Sequence, residues 1–321
     1  VEEVKDDVRA RIPVLRREQM LAAARNALAR EAELTRQAPA PRTIAVFPFV
    51  YAGTDGSLAP LSRALADMLT TDLSQTDRLS VLERAQVQAL LDEMQLAESG
   101  LVDEATAARA GHLLAAGTVV QGRVDMPEEG AVRLEALAVP VAAAVTDVAP
   151  TVAQDALSRL FDAEKALVLG LFDDMGIELT EAERVAVNRR PTESLQALLA
   201  YGRGLQAMDA GNFEAAATAF ETAAALDPSF ATAIDRAESA TRAAEAEGTS
   251  TGAIGDQAQE ELPQPETGGG EFDDAVAEIV PGGGTPGGGD ERDETAEIVG
   301  NEGIGSTSPT TIDVTLPRPN P

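Results

Sequence analysis

Two runs of β-prone residues lie close together near the start of the chain, and the stretch between them has helical periodicity. The runs are TIAVFPFV at 43–50 and LSVLER at 79–84. After the turn-forming stretch YAGTDGS, apolar residues recur at spacings of three and four, as on one face of a helix. Since parallel strands are usually joined by a helix, the pattern predicts a β-α-β unit. The apolar positions of the linking helix are Leu58, Leu61, Leu65, Met68, Leu69 and Leu73.

Helices and strands continue to alternate up to about residue 175. The sequence predicts helices at 85–96, 103–117 and 156–175 and strands at 118–124, 132–143 and 145–154, with a turn at 126–130. Four or five strands alternating with helices are typical of helices packed on one sheet. The predicted fold class is therefore α/β (α+β), with a mixed sheet covered by helices.

The flanking regions have a different composition. The first 37 residues predict a helix interrupted by Pro13 and followed by the linker APAP. Residues from 190 predict two short helices separated by a turn at Gly211, and then a third helix to about 247. Glycine triplets and prolines predict a disordered acidic tail beyond Gly248. We divide the chain into an arm and linker (1–42), an α/β domain (43–180), a helical hairpin with a capping helix (190–247) and the tail (248–321).

The charge of the chain excludes several classes of partner. There are 54 acidic and 25 basic residues, for a formal net charge of −29, which would repel nucleic acid and anionic membranes. Cysteine is absent, which excludes disulfides, thiol nucleophiles and thiolate metal sites. The longest apolar stretch, 131–145, contains charged residues and is shorter than the roughly 20 residues of a spanning helix. We expect no membrane-spanning segment and no nucleic-acid partner.

Candidate catalytic residues are few. His112 is the only histidine, and its neighbours AGHLLAAG provide neither a nucleophile nor a metal ligand. Counting residues leaves a Ser/His/Asp triad open, although no pattern supports one. The adjacent pairs Asp173-Asp174 and Glu128-Glu129 are expected to be solvated, since a carboxylate dyad needs burial and convergence. We predict no catalytic residue, no bound cofactor and no metal site.

The tail contains a repeated apolar motif. The sequence AEIV occurs at 277–280 and at 296–299, flanked by acidic residues. Short β-prone segments on tethers can add to an exposed sheet edge of a partner, and repetition raises their effective concentration. An equally open alternative is that the repeat arose by duplication without function. The candidate partner-binding residues are Ile279, Val280, Ile298 and Val299.

The order of elements from TIAVFPFV to FDAEKALVLGLFDDMGIEL resembles the CsgG-like superfamily, which includes the curli-secretion lipoprotein and flagellar FlgO-like proteins. The resemblance covers about 43–180. It implies an α/β core, no catalytic activity, association with copies of itself, and a location in the bacterial periplasm or at the periplasmic face of the outer membrane. Pore-forming members carry long amphipathic hairpins, whereas 118–155 is only long enough for ordinary sheet strands. We therefore do not expect this chain to form a pore.

The segment 195–234 resembles a tetratricopeptide repeat. The residues at the family's spacing are Gly204, Gly211, Phe213, Ala216, Phe220, Ala223 and Pro228. A lone repeat cannot bury its own faces, so it must pack on the α/β domain, on residues 1–37 or on another subunit. We take Phe213 and Phe220 as further candidate partner-binding residues.

Together these features predict a non-enzymatic envelope assembly or scaffold protein. It would form a homo-oligomer through its CsgG-like domain and bind envelope proteins through its helical hairpin and tail. Two alternatives stay open from the sequence. One is a monomeric periplasmic adaptor that carries a client protein, and the other is an α/β hydrolase or nucleotide-binding enzyme.

Overall fold

A mixed sheet of six strands forms the centre of the protein. The computed structural model describes residues 2–96, 103–142 and 149–247. The strands are β1 Ala40–Val46, β2 Val50–Tyr51, β3 Ser80–Val81, β4 Ala116–Asp125, β5 Ala131–Pro140 and β6 Thr151–Ala156. Their order is β3-β1-β4-β5-β6, and β2 also pairs with β4. The α/β fold class predicted from the sequence is confirmed.

Helices fill most of the remaining described chain. They are α1 Glu2–Ala29, α2 Glu31–Leu34, α3 Leu61–Leu73, α4 Arg84–Glu93, α5 Glu104–Leu113, α6 Leu160–Asp174, α7 Glu181–Val187, α8 Leu195–Ala210, α9 Phe213–Leu226 and α10 Ala231–Glu247. Among the described residues, no helix combines the length and the hydrophobicity that a membrane crossing requires.

The two β-prone runs do form neighbouring strands. β1 and β3 pair in parallel, with Thr43 opposite Ser80 and Ile44 opposite Val81, and α3 links them. β1 also pairs in parallel with β4, whereas β4, β5 and β6 form an antiparallel meander. The β-α-β unit therefore supplies the parallel half of the sheet.

Several predicted boundaries were wrong. β1 begins at Ala40, inside the predicted linker, and it ends at Val46 instead of continuing to residue 50. Pro48 lacks a backbone N–H, so the run cannot continue as one regular strand, and it resumes as β2. The second run contributes only the two residues of β3, since Arg84 already begins α4.

The sheet separates two hydrophobic cores because successive side chains of a strand point to opposite faces. Ile44 and Val46 of β1 enter the core formed with α3, α6 and α8. Ala45 and Phe47 enter the other core, formed with α4 and α5. The first core continues without interruption into α9 and α10, so the C-terminal helices share the interior of the α/β domain.

The helical hairpin depends on glycines where chains approach closely. Gly211 has φ 76° and ends α8, and Asn212 caps α9 by accepting a hydrogen bond from the N–H of Ala215. A Cβ at Gly202 would overlap the carbonyl oxygen of Pro60, and one at Gly204 would overlap the ring of Phe220. Close packing therefore explains the two glycines of the sequence GRG at 202–204, while the tetratricopeptide assignment stays a prediction.

Two helices differ from expectation. α1 continues through Pro13 without interruption, and it packs against both α4 and α10. α7 was not predicted, although Thr180 and Glu183 form a capping box, which is a recognised start signal. All of the described residues lie within one unit, Val1–Gln264. The predictions for the tail at 248–321 lie outside the described ranges.

Candidate functional site

A cleft of about 510 Å³ lies where α1, α3, α4, α8 and α10 meet, and we refer to it as the α1 cleft. α1 contributes apolar side chains and two arginines, Arg16 and Arg17, and the other elements contribute both charged and apolar side chains. The residues that line it include Ile12, Met20, Leu21, Asp67, Arg84, Gln88, Asp209, Phe213 and Arg236. The α1 cleft is thus the place where the N-terminal helix, the α/β domain and the helical hairpin come together.

Arg84 and Asp209 form the central ion pair of the cleft. The two guanidinium NH₂ groups of Arg84 donate hydrogen bonds of 2.9 and 2.8 Å to the two carboxylate oxygens of Asp209. Both side chains are only 6% exposed. Arg63 Nε donates a further hydrogen bond of 3.0 Å to Asp209, and Arg17 donates to its backbone carbonyl. Asp209 therefore fixes the end of α8 to α1, α3 and α4.

A second carboxylate, Asp67 of α3, extends the network to the hairpin. Tyr201 of α8 donates a hydrogen bond of 2.7 Å to Asp67, and Arg236 of α10 donates one of 3.3 Å. Arg84 Nε lies 3.4 Å from the same carboxylate. The ring of Tyr201 packs against Phe220 and Phe230, with centroids 5.3 and 4.9 Å away. Tyr201 thus links the polar network to the aromatic core.

These groups compensate one another's charge. Burial alone would lower the pKa of Arg84, but the charge and hydrogen bonds of Asp209, with Asp67 beside it, raise it above its ordinary value. Burial and the charge of Asp67 raise the pKa of Tyr201, so that its hydroxyl stays protonated and acts as a donor. A paired guanidinium and a protonated phenol provide no base or nucleophile near neutral pH. The arrangement is suited to holding the parts of the protein together.

A second buried charge cluster lies between α3 and α6. Lys165 Nζ donates a hydrogen bond of 2.6 Å to Asp72 and lies 3.2 Å from Glu164 Oε2. Glu164 is 2% exposed, and neither of its carboxylate oxygens makes a hydrogen bond within the described residues. Burial, followed by the charge of Asp72, raises the pKa of Glu164 well above its ordinary value. Glu164 is therefore expected to bind a proton more readily in the folded than in the unfolded chain.

The two phenylalanines predicted to bind a partner are buried. Phe213 is 2% exposed and lines the α1 cleft, whereas Phe220 is fully buried against Tyr201 and Gly204. A partner could reach either ring only if the helices separated, because both rings fill the interior of this chain. The other candidates, Ile279, Val280, Ile298 and Val299, lie outside the described residues, and their role stays a prediction.

The remaining candidates have ordinary surroundings. His112 is half-buried on α5, and its Nδ1 makes no hydrogen bond within the described residues. Glu128 and Glu129 are exposed in the turn between β4 and β5. Asp173 and Asp174 are exposed at the end of α6, where Asp174 accepts a hydrogen bond from Thr151. Within the described ranges, no group of three or more acidic or histidine side chains could hold a metal ion.

Sequence reasoning missed the charged residues of both clusters. A signal was present in α3, where Asp72 occupies a position of the apolar stripe formed by Leu61, Leu65 and Leu69. A polar residue at a core position indicates a buried partner, since an unpaired buried charge is costly. The identity of that partner could not be read from the pattern.

One comparison with known proteins gives a match to part of the chain. Residues 25–132, from the end of α1 to the first residues of β5, match the family model described as the curli production assembly/transport component CsgG. No curated protein matches the chain. The matched segment contains Asp67 and Arg84, whereas Asp209 and Tyr201 lie beyond it. This match supports the assignment of this part of the chain to the CsgG-like superfamily.

Proposed function

We propose that this protein is a non-enzymatic assembly or scaffold component of the bacterial cell envelope. It associates with copies of itself through the CsgG-like domain and binds envelope proteins through its C-terminal regions. The match of residues 25–132 to a curli assembly/transport component carries the proposal. The expected location is the periplasm or the periplasmic face of the outer membrane.

The buried network supports a scaffold role. Arg84 and Asp67 belong to the matched segment, and their partners Asp209, Tyr201 and Arg236 belong to the hairpin and α10. These contacts, together with the shared core, fix the helical region to the CsgG-like domain. A partner bound to the helices would therefore be held in a defined orientation to the domain.

The same network supports the absence of enzymatic activity. Arg84 binds Asp209, and the hydroxyl of Tyr201 next to them already donates to Asp67. Asp92 lines the same cleft, and although burial raises its pKa, its carboxylate accepts a hydrogen bond of 2.8 Å from Gln88. A general acid or base instead has to reach a proton of the substrate.

Light scattering on the full chain tests the proposal first. We expect a discrete mass that is a multiple of the single-chain mass and that persists on dilution through the micromolar range. A monomer at every concentration would contradict self-association and favour the monomeric adaptor. Cell fractionation of a tagged full-length protein is the second test, and recovery in the cytosolic fraction alone would contradict the envelope location.

A further inference from the structure

Within the described ranges, the last strand of the sheet has an unpaired edge with a defined set of backbone groups. β6 pairs only with β5 in the described structure, with Leu134 opposite Ala153. In the same register, the N–H of Leu157 donates to the carbonyl of Gly130. Hydrogen-bonded pairs alternate along an antiparallel ladder, so residues 155, 153 and 151 also bond to β5. The N–H and C=O groups of residues 152, 154 and 156 therefore point away from the sheet.

Among the described residues, a side chain of the protein closes one end of this edge. The N–H of Ala156 donates a hydrogen bond of 2.8 Å to the carboxylate of Asp155. The outward groups of Val152 and Gln154 have no hydrogen-bond partner within the described ranges. Proteins usually block exposed edges with very short strands, prolines or charges. The opposite edge is blocked in this way, since β3 has two residues, whereas β6 has six.

We propose that two copies of the chain pair through β6, antiparallel, about a two-fold axis at Ala153. This register sets Val152 of one copy opposite Gln154 of the other. The outward groups of these two residues then form four hydrogen bonds between the chains. The pairing would join the two sheets into one continuous sheet.

The local charges permit this contact despite the net charge of −29. In the proposed register Asp155 faces Thr151 of the other copy, so the two Asp155 side chains do not meet. Arg159 lies 3.5 Å from Asp155 in the same chain. On the neighbouring strand β5, Arg133 and Glu135 form an ion pair of 2.6 Å with each other. The exposed side chain of Val152, at 46%, adds apolar area next to the edge.

The helix above β6 leaves room for a second copy. A Cβ at Gly170 would overlap the side chain of Thr151, so α6 crosses β6 closely at that point. α6 runs back along β6, which places Ala166, one turn earlier, near the level of Ala153. Ala166 is exposed. Two α6 helices would therefore meet across the proposed axis at a small side chain.

This inference rests on the self-association proposed above and names its contact. The first test is the mass of the full chain carrying Gln154→Pro or Gln154→Thr. Proline removes an outward N–H and leaves the ladder to β5 intact, as is tolerated on edge strands. Threonine changes the side chain and keeps the N–H. We expect Q154P to weaken dimerisation about tenfold or more, since it deletes two inter-chain hydrogen bonds, and Q154T to stay within about twofold of wild type.

A second test uses the absence of native cysteine. Chains carrying Val152→Cys and chains carrying Gln154→Cys are mixed and oxidised gently. Residues directly opposite lie about 5.5 Å apart between Cα atoms, within disulfide range, whereas diagonal neighbours lie about 7–8 Å apart. We expect cross-linked dimers in the mixture and few with either variant alone. If Q154P fails to fold, the cross-linking result by itself tests the proposed pairing of β6.

The outcomes separate the two proposals. Three results would each overturn β6 pairing while leaving self-association standing. The first is an oligomeric wild type whose mass does not change in Q154P. The second is an equal loss of dimerisation in Q154P and Q154T, and the third is a mixture of the cysteine variants that cross-links no better than either variant alone. A wild type that is monomeric at all concentrations would overturn both.

Discussion

Replacing Arg84 with methionine is expected to destabilise the protein by about 3 kcal/mol. Arg84 donates two hydrogen bonds to Asp209 at 2.8 and 2.9 Å and lies 3.4 Å from Asp67, with 6% of its side chain exposed. Breaking a buried pair on one side costs about 3–5 kcal/mol, because the remaining charge stays desolvated. Asp209 retains Arg63 at 3.0 Å, which places the expected loss at the lower end of that range.

Urea unfolding followed by circular dichroism measures this loss. With a slope of about 1–3 kcal/mol/M, the midpoint should fall by roughly 1–3 M without a change in slope. The matched control is Arg25→Met, which removes an ion pair of the same length, 2.8 Å to Glu93, from a position where Arg25 is 66% exposed. Exposed pairs contribute less than about 1 kcal/mol, so R25M should be close to wild type.

A double-mutant cycle tests the physical reason for the loss. Asp209→Leu alone leaves Arg84 and Arg63 without their carboxylate, whereas R84M/D209L removes both members of the pair. The loss in the double variant should therefore be smaller than the sum of the single losses by at least about 1 kcal/mol. Additive losses, or an R84M loss no larger than that of R25M, would refute the interpretation that this pair fixes the hairpin to the domain.

Two further predictions concern other buried positions. Because the pKa of Glu164 is raised in the folded chain, the folded chain binds one more proton than the unfolded chain above about pH 4.5. The free energy of unfolding should therefore fall as the pH rises toward the folded pKa. The fall is about 1.4 kcal/mol for each pH unit between the unfolded and folded pKa values. In urea titrations from pH 4.5 to 8, Glu164→Gln should flatten this decline and leave only the smaller contribution of Asp72, whose pKa is also raised. Parallel profiles of unfolding free energy against pH for the variant and the wild type would contradict this prediction. Gly204→Ala should cost about 1–3 kcal/mol because its Cβ meets the buried ring of Phe220, whereas Gly56→Ala, which meets no atom within 4 Å, should melt near wild type in calorimetry. Equal melting temperatures for the two alanine variants would show that α8 and α9 can separate at little cost.

The sequence predicted the central β-α-β arrangement because that arrangement depends on local periodicity. The spacing of Leu61, Leu65 and Leu69 fixes the buried face of α3, and the runs on either side supply strands. The boundaries of the strands and helices were predicted less accurately, because they depend on backbone hydrogen bonds. Pro48 interrupts the apolar run TIAVFPFV, so β1 ends before it. Arg84, the last residue of the β-prone run LSVLER, already begins α4.

The charge clusters could not be predicted because their members are distant in the chain. Arg84 and Asp209 are separated by 125 residues, and Lys165 and Asp72 by 93. Helical periodicity can show that Asp72 occupies a core position, but it carries no information on which cation lies opposite. Only the packing of α3 against α6 brings them together.

The position of α1 has a consequence for synthesis of the protein. Arg17 of α1 bonds to Asp209, which is translated 192 residues later. At about 5–20 residues per second, a ribosome needs roughly 10–40 s to cover that distance. α4 emerges earlier and can receive α1 first, but the side of α1 that packs on α10 has no partner until the last described helix is made. We therefore expect a holding chaperone to keep the chain unfolded through synthesis and until it reaches the proposed periplasmic location, and a stop codon placed before α10 to yield a product that such a chaperone still binds.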